Sequence, residues 1–158
     1  MKQKLCSAPI LAFPKFDSPH PFVLYTDASA VAVACMITQV QDGMERVLLY
    51  GSRKNNPAQQ KYHSNRLELM SFVWSCESNK YLLFPRFFIW CSDNNSLRHI
   101  RTMFPPRGLI ARWLNTLSNF NFEVRHKKGK QMTHVDFLSR SGASDDNLKK
   151  ISVEETDE

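Results

Sequence analysis

Long apolar stretches and paired cysteines are both missing from this sequence. No apolar segment approaches the roughly eighteen uninterrupted residues of a membrane span, and residues 1–6 lack the apolar run of a signal peptide. The four cysteines form no Cys-x-x-Cys pair and have no histidine at zinc-ligand spacing: Cys6, Cys35, Cys76 and Cys91. We therefore expect a soluble intracellular chain with reduced thiols, no structural zinc and no membrane partner.

Acidic residues are scarce in most of the chain. Residues 1–143 contain 19 Lys and Arg against nine Asp and Glu, a formal charge of +10, whereas residues 144–158 contain six acids and two lysines. This balance favours a polyanionic partner such as nucleic acid, although many basic domains are merely soluble. The length of 158 residues, with 42% apolar and 23% charged residues, fits one globular domain and excludes a wholly disordered or fibrous chain.

Composition also predicts the domain boundaries. Residues 1–21 carry four prolines and are expected to form an extended connector from a preceding region. Residues 22–142 contain the apolar periodic segments and form the predicted domain. Residues 143–158 have too few apolar side chains to order themselves and are expected to be an acidic linker.

Hydrophobic periodicity predicts a mixed α/β fold. Short runs of β-forming residues at 22–26, 31–37 and 46–52, with a turn at 41–43, predict an antiparallel three-strand meander. Helical spacing without Gly or Pro predicts one long helix at 58–82. The later segments predict a buried strand, a short helix, a helix, a strand and a last helix: 87–91, from 96, 109–120, 120–125 and 133–139. Such an order indicates a sheet with helices packed on it.

Four of the few acids border apolar segments. Asp27 and Asp93 directly follow predicted strand residues, while Glu68 and Asp136 lie on predicted helices beside apolar neighbours. Carboxylates next to a core are costly unless cations neutralise them, so one shared site for a hard divalent ion explains all four.

Each acid taken alone also has a simpler explanation. Glu68 would then occupy a surface position at a helix edge, Asp27 and Asp93 would cap loops, and Asp136 would favour the first turn of its helix. The basic run at 125–130 is similarly open, as a solvated turn or a set of phosphate contacts.

The motifs together resemble the ribonuclease H domain of reverse transcriptases from gypsy-like (Metaviridae) long-terminal-repeat retrotransposons. The blocks that carry this resemblance occur in the family's order along nearly the whole domain. They are Ser7-Ala8-Pro9-Ile10-Leu11, Tyr25-Thr26-Asp27-Ala28-Ser29, Tyr50-Gly51-Ser52-Arg53, Leu67-Glu68-Leu69-Met70, Ser92-Asp93-Asn94-Asn95-Ser96-Leu97, Arg112-Trp113, Phe120-Asn121-Phe122-Glu123-Val124, Lys128-Gly129-Lys130 and Val135-Asp136-Phe137-Leu138-Ser139-Arg140.

The resemblance implies an RNase H-like fold with a five-stranded mixed sheet flanked by helices. It also implies two Mg²⁺ ions, with Mn²⁺ as a substitute, held by Asp27, Glu68, Asp93 and Asp136, with Asp27 bridging the ions. The implied activity is endonucleolytic hydrolysis of the RNA strand of an RNA/DNA hybrid, beside the polymerase region of the same polyprotein. A domesticated or inactive module that binds nucleic acid or protein without cleavage is the alternative function.

The sequence departs from the family pattern without losing a ligand. Ala32-Val33-Ala34 replaces a common Gly-x-Gly, and Asn94 replaces the histidine that often follows the third acid. By similarity to a mobile histidine of cellular relatives, His126 is expected to assist product release, with His134 as the competing candidate and a solvated histidine as the simpler explanation.

The other residues expected to contact nucleic acid are polar or basic and follow the motifs: Arg53, Asn94, Arg98, Arg112, Lys128 and Lys130. Trp113 and the Phe-rich strands are expected to belong to the core rather than to stack on bases. The resemblance implies a cytoplasmic retrotransposon particle as the location, with the nucleus as a second compartment.

Overall fold

The structure, a computed structural model, describes residues 11–94 and 107–127 and contains a five-stranded mixed sheet. Its strands are β1 Phe22–Ala28, β2 Ala32–Gln41, β3 Met44–Lys54, β4 Phe87–Ser92 and β5 Asn121–His126. The spatial order is β3-β2-β1-β4-β5. Strands β1, β2 and β3 pair antiparallel, and β4 and β5 are added parallel to β1. The predicted meander with two further strands is therefore confirmed.

The β2–β3 hairpin turns at an Asp-Gly pair. Asp42 and Gly43 both have positive φ angles, of 53° and 75°. Two successive residues with positive φ match the twist of an antiparallel hairpin, and Asp-Gly is a favoured pair for that turn. This explains why a turn at 41–43 is visible in the sequence.

The helical region between β3 and β4 is shorter and more broken than its sequence pattern predicts. A single 3-10 turn covers Gln59–Lys61, α1 covers Ser64–Ser78 and α2 covers Lys80–Leu83. The prediction of one helix over 58–82 is therefore wrong at two points.

Two residues account for these breaks. His63 is extended, with φ −61° and ψ 153°, so α1 begins only after it. Asn79 has φ −118° and ψ 30°, and its side-chain amide donates to the carbonyl of Ser75 at 2.9 Å. Asparagine side chains compete for backbone groups in this way and interrupt helices without Gly or Pro.

One further helix, α3 Gly108–Leu117, lies within the described residues and packs against α1. It ends three residues before the predicted boundary at 120. The helices predicted from 96 and at 133–139 lie outside the described residues.

The main core lies between α1 and the sheet. The ring of Phe72 stacks on that of Trp90 in β4, with centroids 3.7 Å apart and an interplanar angle of 2°. The Trp90 indole donates to the Thr26 hydroxyl at 2.9 Å, so the one polar group of this ring is satisfied. Trp113 of α3 packs at the edge of this core, as expected.

The three cysteines of the described residues are buried. Cys35, Cys76 and Cys91 take part in no disulfide within residues 11–94 and 107–127, in line with the expectation of reduced core thiols for these three positions. Cys6 lies outside the described residues.

Two buried glutamines attach the connector to the sheet. The side chain of Gln39 exchanges two hydrogen bonds with the backbone of Lys15, at 2.8 and 2.9 Å, and that of Gln41 donates to the Phe13 carbonyl at 2.7 Å. Residues 11–21 contain no helix or strand, as expected, yet these contacts hold them against β2. No helix in the described ranges is long and apolar enough to cross a membrane.

Candidate active site

Two aspartates lie where neighbouring parallel strands end. Asp27 is the sixth residue of β1, and Asp93 directly follows β4. Tyr25 of β1 pairs with Cys91 of β4, so each aspartate lies two residues beyond a paired position. The carboxyl ends of parallel neighbours meet at one edge of a sheet, which places both aspartates there.

Glu68 joins the aspartates from α1. Its side chain is buried, at 7% exposure. Burial first, and then the charges of Asp27 and Asp93, raise the pKa of Glu68 to about 8, while a hydrogen bond from the backbone N–H of Ala28 acts in the opposite direction. The explanation of Glu68 as a surface residue is therefore wrong, because its helix position faces the sheet and the two strand ends.

The donor chemistry of these residues fits a hard divalent cation. Oxygen Oε2 of Glu68 is buried and has no hydrogen-bond partner among the described residues. A buried, unsatisfied carboxylate oxygen near two more carboxylates lacks a positive counter-charge, which a divalent ion coordinated by oxygen supplies.

The described part of the chain does not contain a preformed ligand set. No group of three or more His, Cys, Asp or Glu side chains within residues 11–94 and 107–127 could hold a metal ion as it stands. The charges of Asp27 and Asp93 still act on Glu68, because electrostatic repulsion between carboxylates extends over longer distances than metal coordination. Asp136, the fourth expected ligand, lies outside the described residues.

His126 lies beside the third acid. It is the last residue of β5, it is exposed, and its ring nitrogen Nε2 lies 2.9 Å from the carbonyl oxygen of Asp93. Since a carbonyl oxygen only accepts, Nε2 carries the proton in this contact. The imidazole is thus near the strand edge with the carboxylates, whereas His134 lies outside the described residues.

The expected nucleic-acid contacts lie in different environments. Arg53 is half-buried with its guanidinium 5.7 Å from the Trp74 ring centroid, and burial lowers its pKa. Asn94 donates from its side chain to Asn65 of α1 at 2.5 Å, and Arg112 of α3 is exposed. The other three, Arg98, Lys128 and Lys130, lie outside the described residues.

Part of the basic run at 125–130 makes contacts within the chain. Arg125 Nε donates to Glu123 at 2.8 Å, and Lys127 Nζ donates to the Tyr25 hydroxyl at 2.8 Å. The exposed Arg125–Glu123 pair contributes little to stability. The Lys127 contact links the residue after β5 to Tyr25 of β1.

Asn55 is a site-forming residue that sequence reasoning missed. Its side chain is buried and donates to the carbonyls of Ser29 and Ala30 at 2.9 and 3.1 Å, and its backbone N–H donates to Val31 at 2.7 Å. These bonds fix the loop that directly follows Asp27. A lone asparagine after a strand carries no sequence signal for this role.

An aromatic and cationic cluster stabilises the start of α1. The guanidinium of Arg66 lies 4.0 Å from the Tyr62 ring centroid and 5.9 Å from that of Trp113. Cation–π contacts of this kind contribute about 0.5–2 kcal/mol each, more when desolvated. They hold the first turn of the helix that carries Glu68.

Taken together, the arrangement brings three oxygen-donor side chains from β1, β4 and α1 to one edge of the sheet. Carboxylate oxygens are the donors that hard divalent cations prefer, although these three side chains do not form a complete ligand set as they stand.

Comparison with solved structures shows the same fold. LC11-RNase H1 in complex with an RNA/DNA hybrid superposes with a TM-score of 0.56 over 76% of this chain and 94% of that one, at 12% identity. The foamy viral protease-reverse transcriptase in complex with dsDNA gives 0.55 over 73% of this chain and 25% of that one, at 17% identity. At these identities the likeness establishes an RNase H fold.

Sequence comparison gives the family. The Pol polyprotein of transposon 297 from Drosophila melanogaster is 31% identical over 140 residues, which cover 89% of this chain but only 13% of the polyprotein. Residues 17–120 match the family described as the RNase H-like domain found in reverse transcriptase. The chain belongs to this family of RNase H-like domains of reverse transcriptases.

Proposed function

We propose that this domain is a metal-dependent endonuclease that hydrolyses the RNA strand of RNA/DNA hybrids during reverse transcription. The observation that carries the proposal is the meeting of Asp27, Glu68 and Asp93 at one sheet edge, with the pKa of Glu68 raised to about 8 by burial and by the other two. A site that disfavours three negative charges without a cation is suited to bind one.

The proposed metals are two Mg²⁺ ions, for which Mn²⁺ can substitute. Asp27, Glu68 and Asp93 would hold them, together with Asp136. Such ions supply Lewis-acid catalysis for in-line hydrolysis of a phosphodiester. Because Glu68 retains its proton near neutral pH without a cation, metal binding at that pH releases this proton.

The basic surface supports an RNA/DNA hybrid as substrate. Residues 1–143 carry a formal charge of +10, which attracts phosphates, and an RNA strand is distinguished by its 2′-hydroxyl groups in the minor groove. LC11-RNase H1 was solved with such a hybrid. Within this proposal, Arg53, Asn94 and Arg112 contact the hybrid, with Arg98, Lys128 and Lys130.

The polyprotein context is part of the same proposal. Transposon 297 and transposon opus both encode Pol polyproteins of which this chain covers 13% and 14%. We infer a gypsy-like retrotransposon as the source and the polymerase region of the same polyprotein as partner. The expected location is the cytoplasmic retrotransposon particle.

One observation favours the alternative of a module that binds without cleaving. No three acidic, His or Cys side chains in residues 11–94 and 107–127 could hold an ion as they stand. Measuring hybrid binding together with cleavage separates the two functions, because a binding module retains affinity for the hybrid and shows no cleavage with any metal.

The test uses a hybrid labelled on the RNA strand, at low salt and high protein concentration because a single domain binds weakly. We expect cleavage by the wild type with Mg²⁺ or Mn²⁺, no cleavage in chelator, and loss of cleavage in Asp93→Asn. Asp17→Asn, which removes a charge from an exposed residue of the connector, should cleave like the wild type. Equal cleavage by the wild type and Asp93→Asn, or none by either, contradicts the proposed mechanism.

A further inference from the structure

Four polar side chains form a hydrogen-bonded cluster that links β1, β2, the start of β3 and the residue after β5. The Tyr25 hydroxyl and the Thr38 hydroxyl both donate to Oε1 of Glu45, at 2.6 and 2.8 Å. Lys127 Nζ donates to the Tyr25 oxygen at 2.8 Å and lies 4.6 Å from the centroid of its ring. We refer to these four residues as the Tyr25 cluster.

Each of the four side chains of the Tyr25 cluster has a hydrogen-bond partner within the cluster. Burial first, and then the hydrogen bond and charge of Glu45, raise the pKa of Tyr25 well above its usual value, so the phenol stays a donor. Partial burial acts to raise the pKa of Glu45, but hydrogen bonds from Tyr25 and Thr38 and the charge of Lys127 bring it below its ordinary value. Lys127 therefore meets a neutral phenol backed by a carboxylate.

The backbone beside Lys127 contacts the segment that carries the third acid. The Lys127 N–H donates to the Ser92 carbonyl at 2.9 Å, and the neighbouring His126 ring lies 2.9 Å from the Asp93 carbonyl. The end of β5 thus holds two consecutive residues at the end of β4. It does so on the side of Asp93 away from β1, since β4 lies between β1 and β5.

Lys127 also contacts β1, the strand that contains Asp27, through its hydrogen bond to Tyr25. Tyr25 precedes Asp27 by two positions in β1, and alternate residues of a strand share a face. Through its side chain Lys127 holds β1, and through its backbone it holds the end of β4. One residue therefore spans the two strand ends that present Asp27 and Asp93.

We propose that Lys127 is a positioning residue for the metal site, holding the Asp27 strand and the Asp93 segment at a fixed separation. This inference rests on the proposed function, which supplies the metal. Because Lys127 is cationic, its charge and its positioning have opposite effects on metal affinity. Removing a nearby positive charge by itself favours cation binding, whereas loss of positioning weakens it.

The test is titration calorimetry of Mn²⁺ into the metal-free protein without nucleic acid. Lys127→Met keeps most of the side-chain volume and removes the ammonium, and we expect roughly tenfold weaker Mn²⁺ binding. Lys127→Arg, which can still donate to Tyr25, should restore most of the affinity. Lys61→Met, which removes the same charge from an exposed residue of the 3-10 turn, should bind Mn²⁺ like the wild type.

A second variant keeps the test decisive if Lys127→Met unfolds. Tyr25→Phe removes only the hydroxyl and should weaken Mn²⁺ binding in the same direction. The double variant Tyr25→Phe/Lys127→Met should then be no weaker than Lys127→Met alone, because both changes break one contact. Unchanged or tighter Mn²⁺ binding in folded Lys127→Met or Tyr25→Phe overturns the proposal.

The kinetics of hybrid cleavage distinguish a positioning role of Lys127 from a direct contact between Lys127 and a phosphate. In Lys127→Met, excess Mg²⁺ should restore the rate, with an unchanged KM for the hybrid. A raised KM with unchanged Mn²⁺ affinity makes Lys127 a phosphate contact and overturns the inference. Mn²⁺ binding without cleavage by the wild type contradicts only the proposed function, whereas a wild type that binds no Mn²⁺ contradicts both.

Discussion

Asp93, which follows β4, lies near Glu68 on α1, and its charge adds to the burial and to the charge of Asp27 that raise the pKa of this carboxyl. The folded protein therefore holds a proton on Glu68 that the unfolded chain releases above its ordinary value of 4.5. The stabilising effect of this proton is complete below pH 4.5 and is lost as the pH rises towards about 8.

Glu68→Gln should remove this pH dependence. In chelator, the variant should be more stable than the wild type above pH 8 by a few kcal/mol, at about 1.4 kcal/mol per unit of pKa difference. The difference should vanish near pH 4. Urea unfolding at both pH values measures it, and Glu77→Gln, an exposed glutamate of the same helix, should show no such gain.

Metal should reverse the order of stability between these two proteins. Saturating Mn²⁺ should raise the Tm of the wild type and leave that of Glu68→Gln nearly unchanged, because binding to the folded state alone stabilises it. Equal Mn²⁺ shifts in both proteins would exclude Glu68 as a ligand.

His126→Ala should slow multiple-turnover cleavage several-fold and affect the first turnover less. The ring lies at the edge of the proposed site against the Asp93 carbonyl, where it is exposed to solvent and to product. Single- and multiple-turnover rates with a labelled hybrid measure the difference. His20→Ala, an exposed histidine of the connector, is the matched control; unchanged multiple turnover in His126→Ala would remove His126 from product release.

Asn55→Asp should destabilise the domain by roughly 2–4 kcal/mol, because a buried carboxylate would face the two carbonyls that the Asn55 amide now satisfies. Urea unfolding at pH 7 measures this loss. The neighbouring Asn56→Asp is the control, since Asn56 is exposed and its Oδ1 already accepts from the Gln59 N–H. Similar stability of the two variants would show that Asn55 does not hold the loop after Asp27.

Gly51→Ala should destabilise the domain by about 1–3 kcal/mol. A Cβ at Gly51 would lie 3.0 Å from Sγ of the fully buried Cys35, which is closer than an ordinary van der Waals contact. In Cys35→Ala/Gly51→Ala the added methyl group has more room. The double variant should therefore lose less free energy of unfolding than the two single variants lose in sum. Strict additivity in denaturant unfolding would show that the two side chains do not meet.

The sheet could be predicted from sequence more completely than the helices. The segments of β1 and β4 are runs of aromatic and β-branched residues, and the hairpin turn has an Asp-Gly pair. These are local signals. The break at Asn79 depends on a side-chain bond to Ser75 and on packing beside Cys35, which periodicity alone does not reveal.

The candidate site was predictable in part for the same reason. Asp27 and Asp93 stand out because each lies at the end of a segment rich in apolar residues. The burial of Glu68 is hidden in the sequence, since every residue from 67 to 73 is buried and the helix has no single apolar face there. Asn55 contacts a residue 25 positions away in the sequence, and Lys127 contacts one that is 102 positions away. No local sequence pattern indicates such pairs.

The parallel pairing of β1 with β4 restricts how this domain can change in length. Side chains alternate between the two sides of a strand, so one inserted residue before Asp27 or Asp93 within its strand would turn that carboxylate away from the other. The Asp42-Gly43 hairpin connects β2 and β3 away from the two aspartates, so an inserted residue there would not change the side of the strand on which either aspartate lies. Natural insertions and deletions compatible with a working centre should therefore accumulate at that hairpin and be rare within β1 and β4.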